Sequence, residues 1–261
     1  MLGDLPGIVF CKKEYIVREK ERDREKLETV RQKAGMSMWI CKTINLRRVQ
    51  LDAKEVLKSF ECAAGERAYE EALVTYKKYE PWFLANVRPK AILALEDVKL
   101  EFLQKYSAKK EYTNLLYEVL TLGNQAENES EQLFARGEYL AGMLLDTMAD
   151  LALFHAEEAL LPEIKKLCIQ ASVGVGCRMQ APADFTLDIH RYLADRCHLK
   201  ENLGVEVTDG CMFYPVKTMC TIYGLVDDSA VFHAEHDCRA CLMQNCKFRD
   251  ILRQANEEGK F

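Results

Sequence analysis

A strand followed at once by two helices constrains this chain more than any other feature. Leu115 to Leu122 (LLYEVLTL) is rich in aliphatics and ends at Gly123, which predicts a largely buried strand leading into a turn. Asn124 stands where a helix cap is needed, and helical spacing holds from Gln125 to Ala135. The pattern breaks at Gly137 and resumes from Glu138 to about Cys168, with Leu140, Leu144, Met148 and Leu151 on one face. Pro162 is expected to kink or divide this second helix. Soft side chains at that spacing make a core face rather than a cofactor box, and His155 reads as a satisfied buried histidine.

Elements on either side are shorter. Asp52 caps a helix that buries Val56, Leu57 and Phe60, and a longer helix runs from about Glu66 to Ala85, stopped by Pro89. Ala91 to Leu95 (AILAL) is short, apolar and bounded by charges, a pattern shared by strand and buried helix, and is taken as a strand. Residues 172 to 185 (SVGVGCRMQAPADF) read as a glycine- and proline-punctuated loop containing Arg178, of the kind that carries function on a rigid scaffold. Gly174-x-Gly176 completes neither Rossmann nor Walker spacing. Asp188 to His198 form another helix, and Val205 to Thr208 and Val216 to Val226 read as strands around a turn at Asp209-Gly210. Few strands, local connections and no β-α-β alternation point to an α+β fold, a single domain with a mostly antiparallel twisted sheet flanked by helices.

Before about residue 44 the chain changes character. Arg18 to Lys33 (REKERDREKLETVRQK) sets seven basic and five acidic residues around Leu27 and Val30 alone, the pattern of a solvated helix. Residues 1–43 are therefore read as a charged helical extension and 44–261 as the domain. The extension is a surface helix, a partner-docking helix or a nucleic-acid arm; residue pattern alone does not separate these. Over the 261 residues, 36 basic and 41 acidic side chains give a net charge of −5, which argues against a general nucleic-acid binder. The most apolar stretch, Leu140 to Phe154, is broken by Asp146 and Asp150, short of the roughly 18 apolar residues a membrane span needs. The opening MLGDLPGIVF lacks the basic region of a signal peptide, so the expected location is the cytoplasm. There the 11 cysteines stay reduced, and thiolate or metal chemistry is the alternative to disulfides.

The sharpest local chemistry is HAEHDCRACLMQNCKFR, with Cys238, Cys241 and Cys246 spaced C-x2-C-x4-C and His233 and His236 just upstream. Cys238, Cys241, Cys246 and His236 would close a tetrahedral zinc site. An iron–sulfur cluster would take a fourth ligand from elsewhere, Cys211 or Cys220, and free thiols in a terminal helix are the third reading. No nucleophile-elbow or zinc-protease spacing is present, so hydrolysis has no positive support.

From about residue 44 to 252 the order of segments resembles the activation domain of cobalamin-dependent methionine synthase in a free-standing form. The resemblance rests on LDAKEVLKSF at 51–60, LTLGNQAENESEQLFARGEYLAGMLLDTMADLAL at 120–153, GVEVTDGCMFYPVKTMCTIYGL at 204–225, and the cysteine run followed by Lys247-Phe248-Arg249. It implies an accessory role in the reductive remethylation of a corrinoid methyltransferase. The cobalamin is carried by that partner, one electron comes from a donor, and the methyl group comes from S-adenosylmethionine. The family binds that cofactor through an R-x-x-x-G-Y loop, which here reads RMQAPAD from Arg178 to Asp184, without the glycine and tyrosine. The resemblance implies cofactor contacts at Arg178, Pro182, Thr208, Asp209, Pro215 and Lys217, with Arg178 on the methionine carboxylate, a bidentate match that lysine does not reproduce. An iron–sulfur protein delivering electrons to a corrinoid partner and a zinc-stapled interaction module are the competing readings.

Overall fold

A computed structural model describes residues 8–9, 39–46, 49, 51–60, 65–109, 111–236, 246 and 248–249. In chain order its elements are β1 (Ile8–Val9), β2 (Trp39–Asn45), α1 (Ala53–Ser59), α2 (Arg67–Asn86), β3 (Lys90–Asp97), α3 (Leu100–Tyr106), β4 (Asn114–Thr121), α4 (Gln125–Ala135), α5 (Tyr139–Ala171), β5 (Gly174–Met179), α6 (Ile189–Arg196), α7 (Leu199–Leu203), β6 (Glu206–Val207), β7 (Phe213–Tyr214) and β8 (Thr218–Val226). The main sheet runs β1-β2-β3-β4-β8-β5 with every neighbour antiparallel, and β6 and β7 form a separate hairpin. The expected α+β architecture is the one observed.

β4 lies inside the sheet and is covered on both faces, which is why its sequence is nearly continuous in aliphatics. On one face Leu116 and Leu120, with Leu93 of β3 and Tyr223 of β8, meet Leu160, Ile164 and Leu167 from the C-terminal half of α5. On the other, Leu115, Tyr117 and Ile222 pack under Phe185, Ile189 and Leu193. Beyond the end of β4, where Leu122 is buried, α1, α2, α4 and the first half of α5 form a helical core around Leu57, Phe83, Leu133 and Met148.

Local signals account for much of this. Asp52 Oδ1 accepts from Lys54 N at 2.8 Å and starts α1. Gly137 turns α4 into α5 at φ +78°, a conformation any Cβ would oppose. Asn124 occupies the cap position of α4, but its side chain makes no capping bond. α5 is one unbroken helix of 33 residues through Pro162, against the expected division. The loss of one backbone bond, about 3 kcal/mol, is outweighed by the apolar side chains this helix buries on either side of the proline.

Four further differences follow, three of them in strand pairing. β2 crosses residue 43, where the sequence reading draws the domain boundary, and pairs with β3 from Trp39↔Glu96 to Asn45↔Lys90. Residues 174–179, read as loop, form β5 at the end of the sheet, which pairs with β8, carries a bulge between Val175 and Cys177, and is bridged at Val175 to Phe232 on its other side. The turn at Asp209-Gly210 closes β6 on the short β7, not on β8, because Pro215 has no N–H to continue a ladder. α3 is a short helix that no sequence pattern singled out. The charged helix predicted over Arg18 to Lys33 lies outside the described residues.

Candidate functional site

Arg178 sits on β5 opposite Tyr223 of β8, and Thr221 of β8 stands opposite Glu118 of β4. Strand alternation turns these four side chains to the face covered by α5, which contributes Glu157. Arg178 Nη2 donates to Glu157 Oε1 at 2.6 Å and to Thr221 Oγ1 at 3.3 Å, and Thr221 Oγ1 donates to the same carboxylate oxygen at 2.8 Å. Tyr223 donates its hydroxyl proton to Glu118 Oε2 at 2.7 Å. The Arg178 and Glu157 side chains are only 12% and 7% exposed, and Glu118 is fully buried. Burial pushes the Glu118 carboxyl up to about 8, helped by repulsion from Glu157 and opposed by the Tyr223 hydrogen bond and Arg178. At neutral pH this network therefore holds a proton on Glu118. The resemblance gives Arg178 to a ligand carboxylate; here the guanidinium is turned inward onto Glu157.

Lys217 departs from expectation in the same way. It is buried, and its Nζ lies 2.7 Å from Asp146 Oδ1 and 2.6 Å from Asp150 Oδ1, both on α5. Burial disfavours the ammonium, but the two carboxylates outweigh it and hold the Lys217 pKa above its ordinary value. Lys217 is thus already matched by two carboxylates of the chain itself. Pro215, preceded by a cis peptide bond, leads into it, and Glu127 of α4 accepts from Val216 N at 3.1 Å. An open cavity of about 600 Å³ lies here, lined by Phe60, Phe134, Met143, Asp146, Val216 and Lys217 among others.

Pro182 lies elsewhere, in the turn after β5. Asp184 fixes that turn by accepting from Gln180 N at 3.1 Å and pairing with Lys109 Nζ at 2.9 Å, and Thr186 N donates to Tyr106 O at the end of α3. Thr208 and Asp209 belong to the β6–β7 hairpin. Their carbonyls accept from Arg191 Nη2 of α6 at 3.1 and 2.6 Å, and Thr208 Oγ1 accepts from Met212 N at 3.1 Å. His190 Nδ1 is 2.8 Å from Cys211 O, a carbonyl that only accepts, so Nδ1 carries the proton; burial holds this histidine below its ordinary pKa. The first loop is thereby anchored at the end of α3 and the second on α6, and beside them runs an open cleft of about 680 Å³ lined by Lys105, Tyr106, Asp188, Arg191, Tyr192 and Asp195 among others. At its far end Tyr192 donates to Glu96 Oε2 at 2.6 Å, and Arg196 stacks 3.7 Å above the Trp39 ring.

The six residues singled out for cofactor contact thus fall in three places. Arg178 belongs to the sheet–α5 network, Pro215 and Lys217 border the 600 Å³ cavity, and Pro182, Thr208 and Asp209 lie on the two loops beside the α6 cleft. Four carboxylates central to the first two places, Glu118, Asp146, Asp150 and Glu157, carry no sequence motif. Their signal is a charged residue inside an otherwise apolar strand or helix face, which is kept only when a partner is supplied.

Of the proposed metal ligands, Cys238 and Cys241 lie outside the described residues. His236 and Cys246 are half-buried, Cys246 against the helical core. Among the described residues no group of three or more His, Cys, Asp or Glu side chains is placed to hold a metal ion. His155 is satisfied as expected, with Nε2 at 3.0 Å from Glu55 and Nδ1 at 3.5 Å from Glu158. Burial lowers its pKa, but the two carboxylates more than compensate and the net shift is upward.

No family model matches the sequence, and no curated protein matches it. Among solved structures the chain is similar to the MetH reactivation domain bound to AdoHcy, with a TM-score of 0.52 at 10% sequence identity, over 84% of this chain and 86% of that one. The chain has the methionine synthase reactivation-domain fold. At 10% identity the shared part is the backbone architecture, and the side chains of each site must be argued from this chain alone. No described helix of this reactivation-domain fold is long and apolar enough to cross a membrane.

Proposed function

We propose that this chain supports the reductive reactivation of a cobalamin-dependent methionine synthase, or of a related corrinoid methyltransferase, and that it binds an S-adenosylmethionine-type ligand. The observation that carries this reading is the fold, shared over 84% of the chain with a reactivation domain solved with AdoHcy. In this reading the cobalamin belongs to the partner and S-adenosylmethionine supplies the methyl group. The chain's own task is to hold that donor and dock it.

The α6 cleft suits such a ligand best. Its volume of about 680 Å³ falls within the range of small-molecule sites, roughly 300–1,000 Å³. Tyr106 and Tyr192 offer aromatic surface for a purine, Asp188 and Asp195 offer acceptors for ribose hydroxyls or an ammonium, and Lys105 offers a cation for a carboxylate. The flanking loops carry Pro182, Thr208 and Asp209. Arg178, turned onto Glu157 on the α5 face of the sheet, does not touch the ligand in this reading.

Calorimetric titration with S-adenosylmethionine and AdoHcy tests the placement. Lys105→Ala and Asp195→Ala change exposed side chains; each is expected to weaken binding several-fold at unchanged thermal stability. Binding equal to wild type in both variants would remove the ligand from this cleft.

A further inference from the structure

The described surface carries nine exposed large apolar side chains, and four of them gather in one place: Phe134, Tyr139, Met143 and Val216. Their gathering is set by geometry. Gly137 folds α4 back onto α5, so the Phe134 and Tyr139 rings lie 6.4 Å apart and Met143 follows about one turn later on α5. After the short β7 the chain turns at the cis Tyr214-Pro215 bond, and Val216 is left exposed between the buried Pro215 and Lys217. Phe134, Met143 and Val216 line one cavity, which joins the helical part of the patch to Val216. Soluble proteins seldom leave a contiguous apolar surface of this kind without a partner for it.

The rim decides which partner. Glu127, Glu131 and Asp146 line the same cavity, and Asp150 lies just behind; among the described residues that line it the one cation is Lys217, which is buried and held by Asp146 and Asp150. Arg136, the nearest exposed cation in the α4–α5 turn, is paired with Glu129 and Glu138. A second copy of the chain would bring the same acidic rim against itself. We infer that this apolar, acid-rimmed surface docks an amphipathic helix of a partner protein that carries aliphatic side chains flanked by lysine or arginine. The aliphatic face would fill the cavity between Met143 and Val216, and the basic flanks would meet Glu131 and Asp146. The surface is distinct from the α6 cleft and does not depend on the ligand proposed there.

Fluorescence anisotropy of the full chain with a labelled 18-residue leucine–lysine helical peptide, and with its leucine–glutamate counterpart, tests the inference. The lysine peptide should bind, more weakly as salt is raised, and the glutamate peptide should not. Met143→Ser and Val216→Ser should each weaken binding at least five-fold, and Glu131→Lys at least three-fold, with melting temperatures within a degree or two of wild type because all three positions are exposed. Lysine-peptide binding that all three substitutions leave unchanged, or equal binding of both peptides, would overturn the inference. So would sedimentation showing a dimer at micromolar concentration that Met143→Ser dissociates, since the patch would then be covered by a second copy.

Discussion

Replacing Glu118 by glutamine isolates the buried proton at the centre of the sheet–α5 network. Glutamine has nearly the same shape and keeps an oxygen to accept from Tyr223, but it does not titrate. In the folded chain the Glu118 pKa is raised to about 8 from an ordinary 4.5 by burial first and Glu157 second. A raised carboxyl stabilises the folded state at low pH, because the fold keeps a proton that the unfolded chain releases. That contribution is complete below about pH 4.5 and is lost as pH climbs toward 8, at up to ~1.4 kcal/mol per pH unit. Between pH 5 and 7.5 the wild type should therefore lose roughly 3 kcal/mol relative to Glu118→Gln. His155, also raised, loses stability in the same direction above about pH 6.5. It is common to both proteins, so the difference between them is the readout. Urea unfolding at half-unit intervals from pH 5 to 8 measures it. Parallel curves, with a gap that does not widen as pH rises, would show that Glu118 is ionised in the folded state and would refute the assigned proton.

Other substitutions test the same packing. Arg178→Ala leaves Glu157 buried beside Glu118 without a cation and should cost about 3–5 kcal/mol in urea unfolding, whereas a double Arg178→Met, Glu157→Met replacement should recover most of that loss. Lys217→Ala should cost less, about 2 kcal/mol, because Asp146 is 48% exposed and is already partly solvated. A Cβ on Gly224 would lie 2.5 Å from the Tyr112 ring, so Gly224→Ala should destabilise by about 1–3 kcal/mol, and much of that should disappear when Tyr112 is also replaced by alanine.

What the sequence makes legible follows the range of the interactions. β4, α1, α4 and α5 are written locally, in aliphatic runs, the Asp52 cap and the Gly137 turn, and a single chain suffices to read them. β5 is not legible: its two glycines and the following proline signal a loop, and only pairing with β8, more than forty residues on, makes it a strand. β2 is hidden similarly, since its extended state comes from registration against β3. Arg178 and Lys217 stand out in the sequence as cations near glycine and proline, which favours a ligand role. Their partners lie 21 or more residues away on α5, so the sequence does not show that both charges are already matched. Thr208 and Asp209 fare differently, because a turn is a local object and the structure keeps them as one.

The role in reactivation is tested most directly on a cobalamin-dependent methionine synthase from which its own activation domain has been removed and whose cobalamin has been oxidised to the inactive cob(II)alamin form. Its visible spectrum is followed with a one-electron donor and S-adenosylmethionine, with and without this chain. The expected result is recovery of the methylcobalamin spectrum and of methionine formation only when the chain is present, reduced when Lys105→Ala replaces wild type. A spectrum that stays at cob(II)alamin with and without the chain, while the donor and the methyl source remain competent toward an intact synthase, would contradict that role.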